Sequence, residues 1–192
     1  PTTELDIGFS GSFGASSTDV KVREGMPSLG SLFEFGPRLK VNLGQPLPGT
    51  SLRLKLPLRA VFDVSNQFRG RGAAFEPELS MSWRVTGSTR INTDLGLIFG
   101  DRRLNDHLYG VDAAFATPTR PAYEGKAGLI ATRLALSSAT SLSKDWDLVT
   151  FARVDVVKGA ANEASPLVRK SAGPSVGIGL AWTFWRSERL EQ

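Results

Sequence analysis

Residues 171–185 place Ala172, Pro174, Val176, Ile178, Leu180, Trp182 and Phe184 on one side of an extended chain, and Ser171, Gly173, Ser175, Gly177, Gly179, Ala181 and Thr183 on the other. A strand with period-two alternation of this kind has one apolar wall and one wall of small or polar groups. Seven earlier segments repeat the pattern, at residues 4–13, 31–43, 51–63, 73–84, 89–100, 126–142 and 145–157. The segment at 51–63 is the sharpest: Leu52, Leu54, Leu56, Leu58, Ala60 and Phe62 oppose Arg53, Lys55, Arg59 and Asp63. No helix would sort these residues in that way. The segment at 126–142 is less regular, with Ile130, Leu134 and Leu136 read against Ala131, Arg133 and Ser137, and in the seventh Val149 and Phe151 interrupt the polar face.

The expected fold is therefore all-β, an antiparallel up-and-down transmembrane β-barrel in which eight strands are readable. The connections support this. Short ones lie at 44–49, 86–88 and 143–144, and longer ones at 14–30, 64–69, 101–125 and 158–170. Short turns on one rim and long loops on the other are the pattern of an outer-membrane barrel, and a helical turn is expected near residues 104–108 of the longest loop. Trp83, Trp146, Trp182 and Phe184 fall near the short-turn end, where amphipathic rings suit a membrane interface.

Composition narrows the chemistry. Hydrophobic residues make up 41% and charged residues 22% of the 192, and no apolar run reaches the roughly 20 residues of a spanning helix. The absence of cysteine removes disulfides and thiolate ligands, and the single His107 excludes a multi-histidine metal site within one chain. The net charge of +4 is scattered, which argues against a nucleic-acid surface. The chain starts at Pro1 and is expected to be a processed or partial piece.

Periodicity alone also fits a soluble barrel or sandwich with its apolar face inward, but two considerations favour an apolar face turned outward. Large side chains fill it so uniformly that they would overfill a small lumen, and the opposite face mixes Gly, Ser and charges of both signs. The interior then collects Arg38, Lys40, Arg53, Lys55, Arg59, Arg84, Arg90, Arg133 and Arg153 with Asp6, Glu34, Asp63, Glu76, Glu78, Asp94, Asp147 and Asp155. Nine bases against eight acids point to crossing ion pairs that brace the wall, since an unpaired charge in a confined interior is costly.

Enzymatic readings fare worse. His107 has Asp101, Asp106 and Asp112 nearby in sequence, but a lone histidine in a long loop is expected to be an exposed surface residue. Glu76 and Glu78 are spaced like a glycosidase couple, yet their basic neighbours favour ion pairing. Calcium in the 101–112 loop is opposed by Arg102 and Arg103 and by the lack of EF-hand spacing. No catalytic residue, cofactor or metal site is assigned.

Several short segments, Asp6 to Ser12, Arg23 to Pro27, Glu34 to Pro37, Leu56 to Val61, Phe75 to Ser80, Phe99 to Arg103, Tyr109 to Val111, Pro121 to Tyr123, Ala160 to Asn162 and Ser165 to Val168, run in order along the chain. Jointly they resemble the MltA-interacting protein (MipA/OmpV) family of Gram-negative outer membranes. The resemblance implies an outer-membrane barrel over residues 1–185, part of one of about twelve strands whose earlier strands lie upstream, with a polar tail at 186–192. It also implies a non-enzymatic scaffold seated in outer-membrane lipid, bridging a murein lytic transglycosylase and a penicillin-binding protein. The alternative is a porin-like channel for small polar solutes. Within these segments Gly25-Met26-Pro27 and Gly36-Pro37 read as turn or bulge chemistry, and Glu76-Pro77-Glu78 as a strand kink with lumen charges.

Overall fold

The computed structural model describes residues 2–12 and 20–184. Residues 1, 13–19 and 185–192 lie outside it, and with them Phe13, Trp185 and the tail. The strands are β1 (Thr3–Ser12), β2 (Leu32–Gly44), β3 (Thr50–Asp63), β4 (Arg69–Phe75), β5 (Glu78–Arg84), β6 (Thr89–Gly100), β7 (Gly128–Ser141), β8 (Trp146–Val156) and β9 (Ala172–Trp182). One helix, α1 (Arg102–Tyr109), follows β6. No helix among the described residues is long and apolar enough to cross a membrane.

All neighbours pair antiparallel in one meandering sheet, so alternation converts directly into two faces. The expected fourth strand is two. β4 and β5 both pair with β3 and β6 and are separated by Glu76 and Pro77. Proline cannot donate to the ladder, so the strand breaks there. The carbonyls stay engaged all the same: Leu97 N donates to Pro77 O at 3.0 Å, and Glu76 N to Pro57 O at 3.1 Å. β4 and β5 together make one pass, so the sheet makes the eight passes read from the sequence.

The last and first strands do not pair with each other among the described residues. β9 pairs with β8 and β1 with β2, and among the described residues the two outer edges pair with nothing further. Closure of the sheet into a barrel is not seen among the described residues.

The two faces differ in exposure as well as chemistry. Leu5, Phe9, Leu58, Leu95, Leu134, Leu136, Ile178 and Leu180 are exposed, Leu134 at 50% and Leu180 at 63%, whereas inward residues such as Gly8, Ser80 and Asp63 are buried. Rings line the outer surface: Phe35 stacks on Phe62 at 5.5 Å and Trp146 on Trp182 at 6.2 Å between centroids.

The small true core lies on the inner face at the long-loop end. Val61, Ala74 and Leu104 are buried together, with Leu32, Leu108 and Ile130 packed against them. Leu104 and Leu108, one helical turn apart, bring α1 down onto β3, β4 and β7. The helix starts where Asp101 Oδ1 accepts from Leu104 N at 2.8 Å, and Asp101 Oδ2 ties the same cap to Ala73 N at 3.0 Å. Gly72 permits this approach. At φ +120° beside a bulge in β4, it leaves free the place where a β-carbon would stand 2.2 Å from Asp101 Oδ1. Ile130 corrects the sequence reading. The β6–β7 register slips between Ile98 and Phe99, and the bulge turns Ile130 into the core, away from the outward face shared by Leu134 and Leu136.

Candidate functional site

The inner wall is held by ion pairs that cross between strands. Asp6 on β1 receives both Nε and Nη2 of Arg38 on β2, at 2.9 and 2.7 Å, and Lys40 Nζ at 2.6 Å. Lys55 on β3 reaches Glu78 on β5 at 2.7 Å and lies 3.7 Å from Asp94 on β6. Arg59 stands between Glu34 at 2.9 Å and Glu76, its side chain 11% exposed. Arg133 on β7 is bidentate to Asp155 on β8 at 2.7 and 3.0 Å, and Arg153 lies 3.9 Å from the same carboxylate. Paired forks of this kind fix neighbouring strands in register as well as neutralising charge. Lys40 and Lys55 are direct cross-strand partners, yet each finds its own carboxylate.

This pairing takes in Arg38, Lys40, Lys55, Arg59, Glu76, Glu78, Asp94, Arg133, Arg153 and Asp155. It leaves out Arg53, Arg84 and Arg90. Asp63 pairs with Arg71, a partner outside the sequence-derived set, and Asp147 accepts from Ser141 Oγ at 2.6 Å. Glu76 and Glu78, weighed as a catalytic couple, are each taken by a different cation, Arg59 and Lys55.

The long-loop end is closed by a polar network that the alternation does not reveal. Arg120 donates through Nη1 to the carbonyls of Val22 and Glu24 at 3.1 and 2.8 Å and through Nη2 to that of Phe115 at 2.7 Å. Arg23 donates to Leu108 O at 3.3 Å, and Asn105, fully buried, to Gly100 O at 3.0 Å. Asn162 exchanges bonds with Lys126, accepting from its N–H and donating to its carbonyl, both at 2.8 Å, and also accepts from Tyr123 Oη. Ser165 Oγ donates to Tyr109 O at 2.7 Å. Loop carbonyls buried without such donors would be costly, so these side chains hold the loops together over α1. Segments around Arg23, Tyr109, Tyr123, Asn162 and Ser165, scattered in the sequence, thus converge on one cap. Their partners lie far along the chain, and the local sequence does not mark them.

His107 is not the exposed loop residue expected. It lies on α1, its Nε2 buried and without a partner among the described residues. Burial pushes its pKa down to about 4, and the cations Arg71, Arg23 and Arg69 act in the same direction while Asp63 opposes them. The unfolded chain, with its histidine near 6.5, binds the proton more readily, so stability should decline as pH falls from about 6.5 toward 4. A His107→Gln variant should lose this component, which thermal melts across that range would read.

The carboxylates near His107 are occupied by backbone. Asp101 caps α1, Asp106 Oδ1 accepts from Gly125 N at 2.7 Å, and Asp112 Oδ1 accepts from Ala114 N at 2.9 Å. They are spent on folding the loop. At the opposite end Trp83, Trp146, Trp182 and Phe184 stand exposed on the outer face, Trp182 and Phe184 with centroids 6.1 Å apart.

Comparison with known proteins gives one match. A family model described as MltA-interacting protein MipA covers residues 1–184. No curated protein and no solved structure matches. The order of segments from Asp6 to Val168 and the match along almost the whole chain lead to the same conclusion: the chain belongs to the MltA-interacting protein MipA family.

Proposed function

We propose that this chain is the body of an outer-membrane β-barrel that serves as a non-enzymatic scaffold for periplasmic murein enzymes. The observation that carries the membrane part is the inversion of the sheet, large apolar side chains exposed outward and an ion-paired wall within. Water would solvate the opposite arrangement; lipid favours this one. An open sheet edge is not tolerated in hydrocarbon, so the unpaired edges of β1 and β9 call for further strands, in line with a barrel of about twelve. Short turns would face the periplasm, with the tryptophans at that interface, and the capped long loops the exterior.

The scaffold part rests on the family, whose description names an interaction with MltA. By the family resemblance MltA is a murein lytic transglycosylase and a second partner is a penicillin-binding protein. A cap knitted by Arg120, Asn105 and Asn162 favours a closed outer end over a pore. Folded protein in liposomes should retain purified transglycosylase on its periplasmic side and give no steady single-channel openings in a planar bilayer. Failure of capture by intact protein would overturn the scaffold, and steady openings would favour the porin-like channel.

A further inference from the structure

The charge on the inner wall is segregated. Arg38, Arg59, Arg71, Arg133 and Arg153 each meet a carboxylate, whereas toward the short turns Arg53, Arg84 and Arg90 have no ion-pair or hydrogen-bond partner for their side chains among the described residues. Arg84 and Arg90 are also direct cross-strand neighbours between β5 and β6 on the same face. Like charges so placed repel; Asp147 lines a hollow with both arginines, but it accepts from Ser141 Oγ at 2.6 Å and forms no ion pair with them among the described residues. Arg53 sits on the adjoining strand, opposite Ser80.

Around these three guanidiniums the wall is concave and polar. They share a cavity of about 670 Å³ with Ser82 and Asn92, and its acid, Asp94, already lies 3.7 Å from Lys55. That volume suits a ligand of a few tens of atoms and is too small for a folded partner.

We propose that this recess binds a small solute bearing oxyanions, carboxylate or phosphate, with Arg53, Arg84 and Arg90 as its ligands. Guanidinium forks match both groups, and hydroxyl and amide donors from Ser82 and Asn92 complete the set. The bound anion would supply the negative charge that the wall lacks. This site needs only the concave wall, so its failure would leave the membrane and scaffold reading standing.

The test is calorimetric titration of the folded, detergent-solubilised protein at low ionic strength with citrate, with pyrophosphate, and with glucose as a neutral control. One or both anions should bind and glucose should not; the tighter anion identifies the source as carboxylate or phosphate. Arg84→Gln and Arg90→Gln should each weaken binding by about tenfold or more, with Arg84→Lys in between. Arg102→Gln, whose side chain pairs with Glu124 on the outer loops, should bind as the parent does. Because Arg84 repels Arg90, Arg84→Gln should melt at or above the parent temperature, which a bracing residue would not do. Absence of binding by both anions up to roughly 10 mM, a Kd near 3 kcal/mol of binding free energy, would overturn the site. Unchanged affinity in the double variant, or a lowered melting temperature for Arg84→Gln, would do the same.

Discussion

Leu134→Arg should weaken the membrane-inserted protein by about 2–4 kcal/mol, the cost of a guanidinium on the lipid face near the bilayer midplane. Leu134 lies within β7 with half of its surface exposed, so the substitution creates no cavity and breaks no contact of the core cluster. The same change on a water-facing surface would stay within about 0.5 kcal/mol. Leu54→Arg and Leu180→Arg should follow Leu134→Arg, with the cost shrinking toward the rims. Denaturant titration in phospholipid vesicles measures the difference, and parent-like stability for all three would contradict lipid around this face.

Arg59→Ala should cost about 3–5 kcal/mol by another route. Arg59 alone bridges Glu34 and Glu76, and the three side chains are 11%, 16% and 23% exposed. Removing it leaves two carboxylates facing each other in a poorly hydrated wall, whereas Glu34→Gln and Glu76→Gln made together with Arg59→Met should recover much of the loss. Burial of the unpaired charges, not loss of attraction, is the dominant effect. A loss of less than about 1 kcal/mol would mean that the triad behaves as a solvated surface pair.

These effects trace back to what a one-dimensional pattern can carry. Strand β6 spans Thr89–Gly100 as alternation places it, because both its ends coincide with changes in periodicity. The segment at 73–84 reads as one strand with a kink at Glu76-Pro77-Glu78, but Pro77 cannot donate a ladder bond and the kink is a full break between β4 and β5. Ile130 was misplaced because a bulge inverts every side chain beyond it and leaves no compositional mark. The near balance of nine bases and eight acids pointed to pairing. It could not show that Arg59 takes two acids while Arg84 and Arg90 take none, because partners depend on cross-strand register. His107 misled for a related reason: its burial depends on α1 folding back onto β4, a long-range contact. The cap was the least legible part, as Arg120 and Asn162 bind backbone groups that no sequence motif specifies.

The central claim is that the apolar face meets lipid and the charged face does not. Since the chain has no cysteine, single cysteines can be placed along β7 at residues 132–137, spin-labelled, and read in vesicles for collision with oxygen and with a water-soluble nickel chelate. Strict alternation is expected, with labels at Leu134 and Leu136 favouring oxygen and labels at Arg133 and Ser137 shielded from it. Alternation of opposite phase, or the same aqueous accessibility at every position, would contradict it.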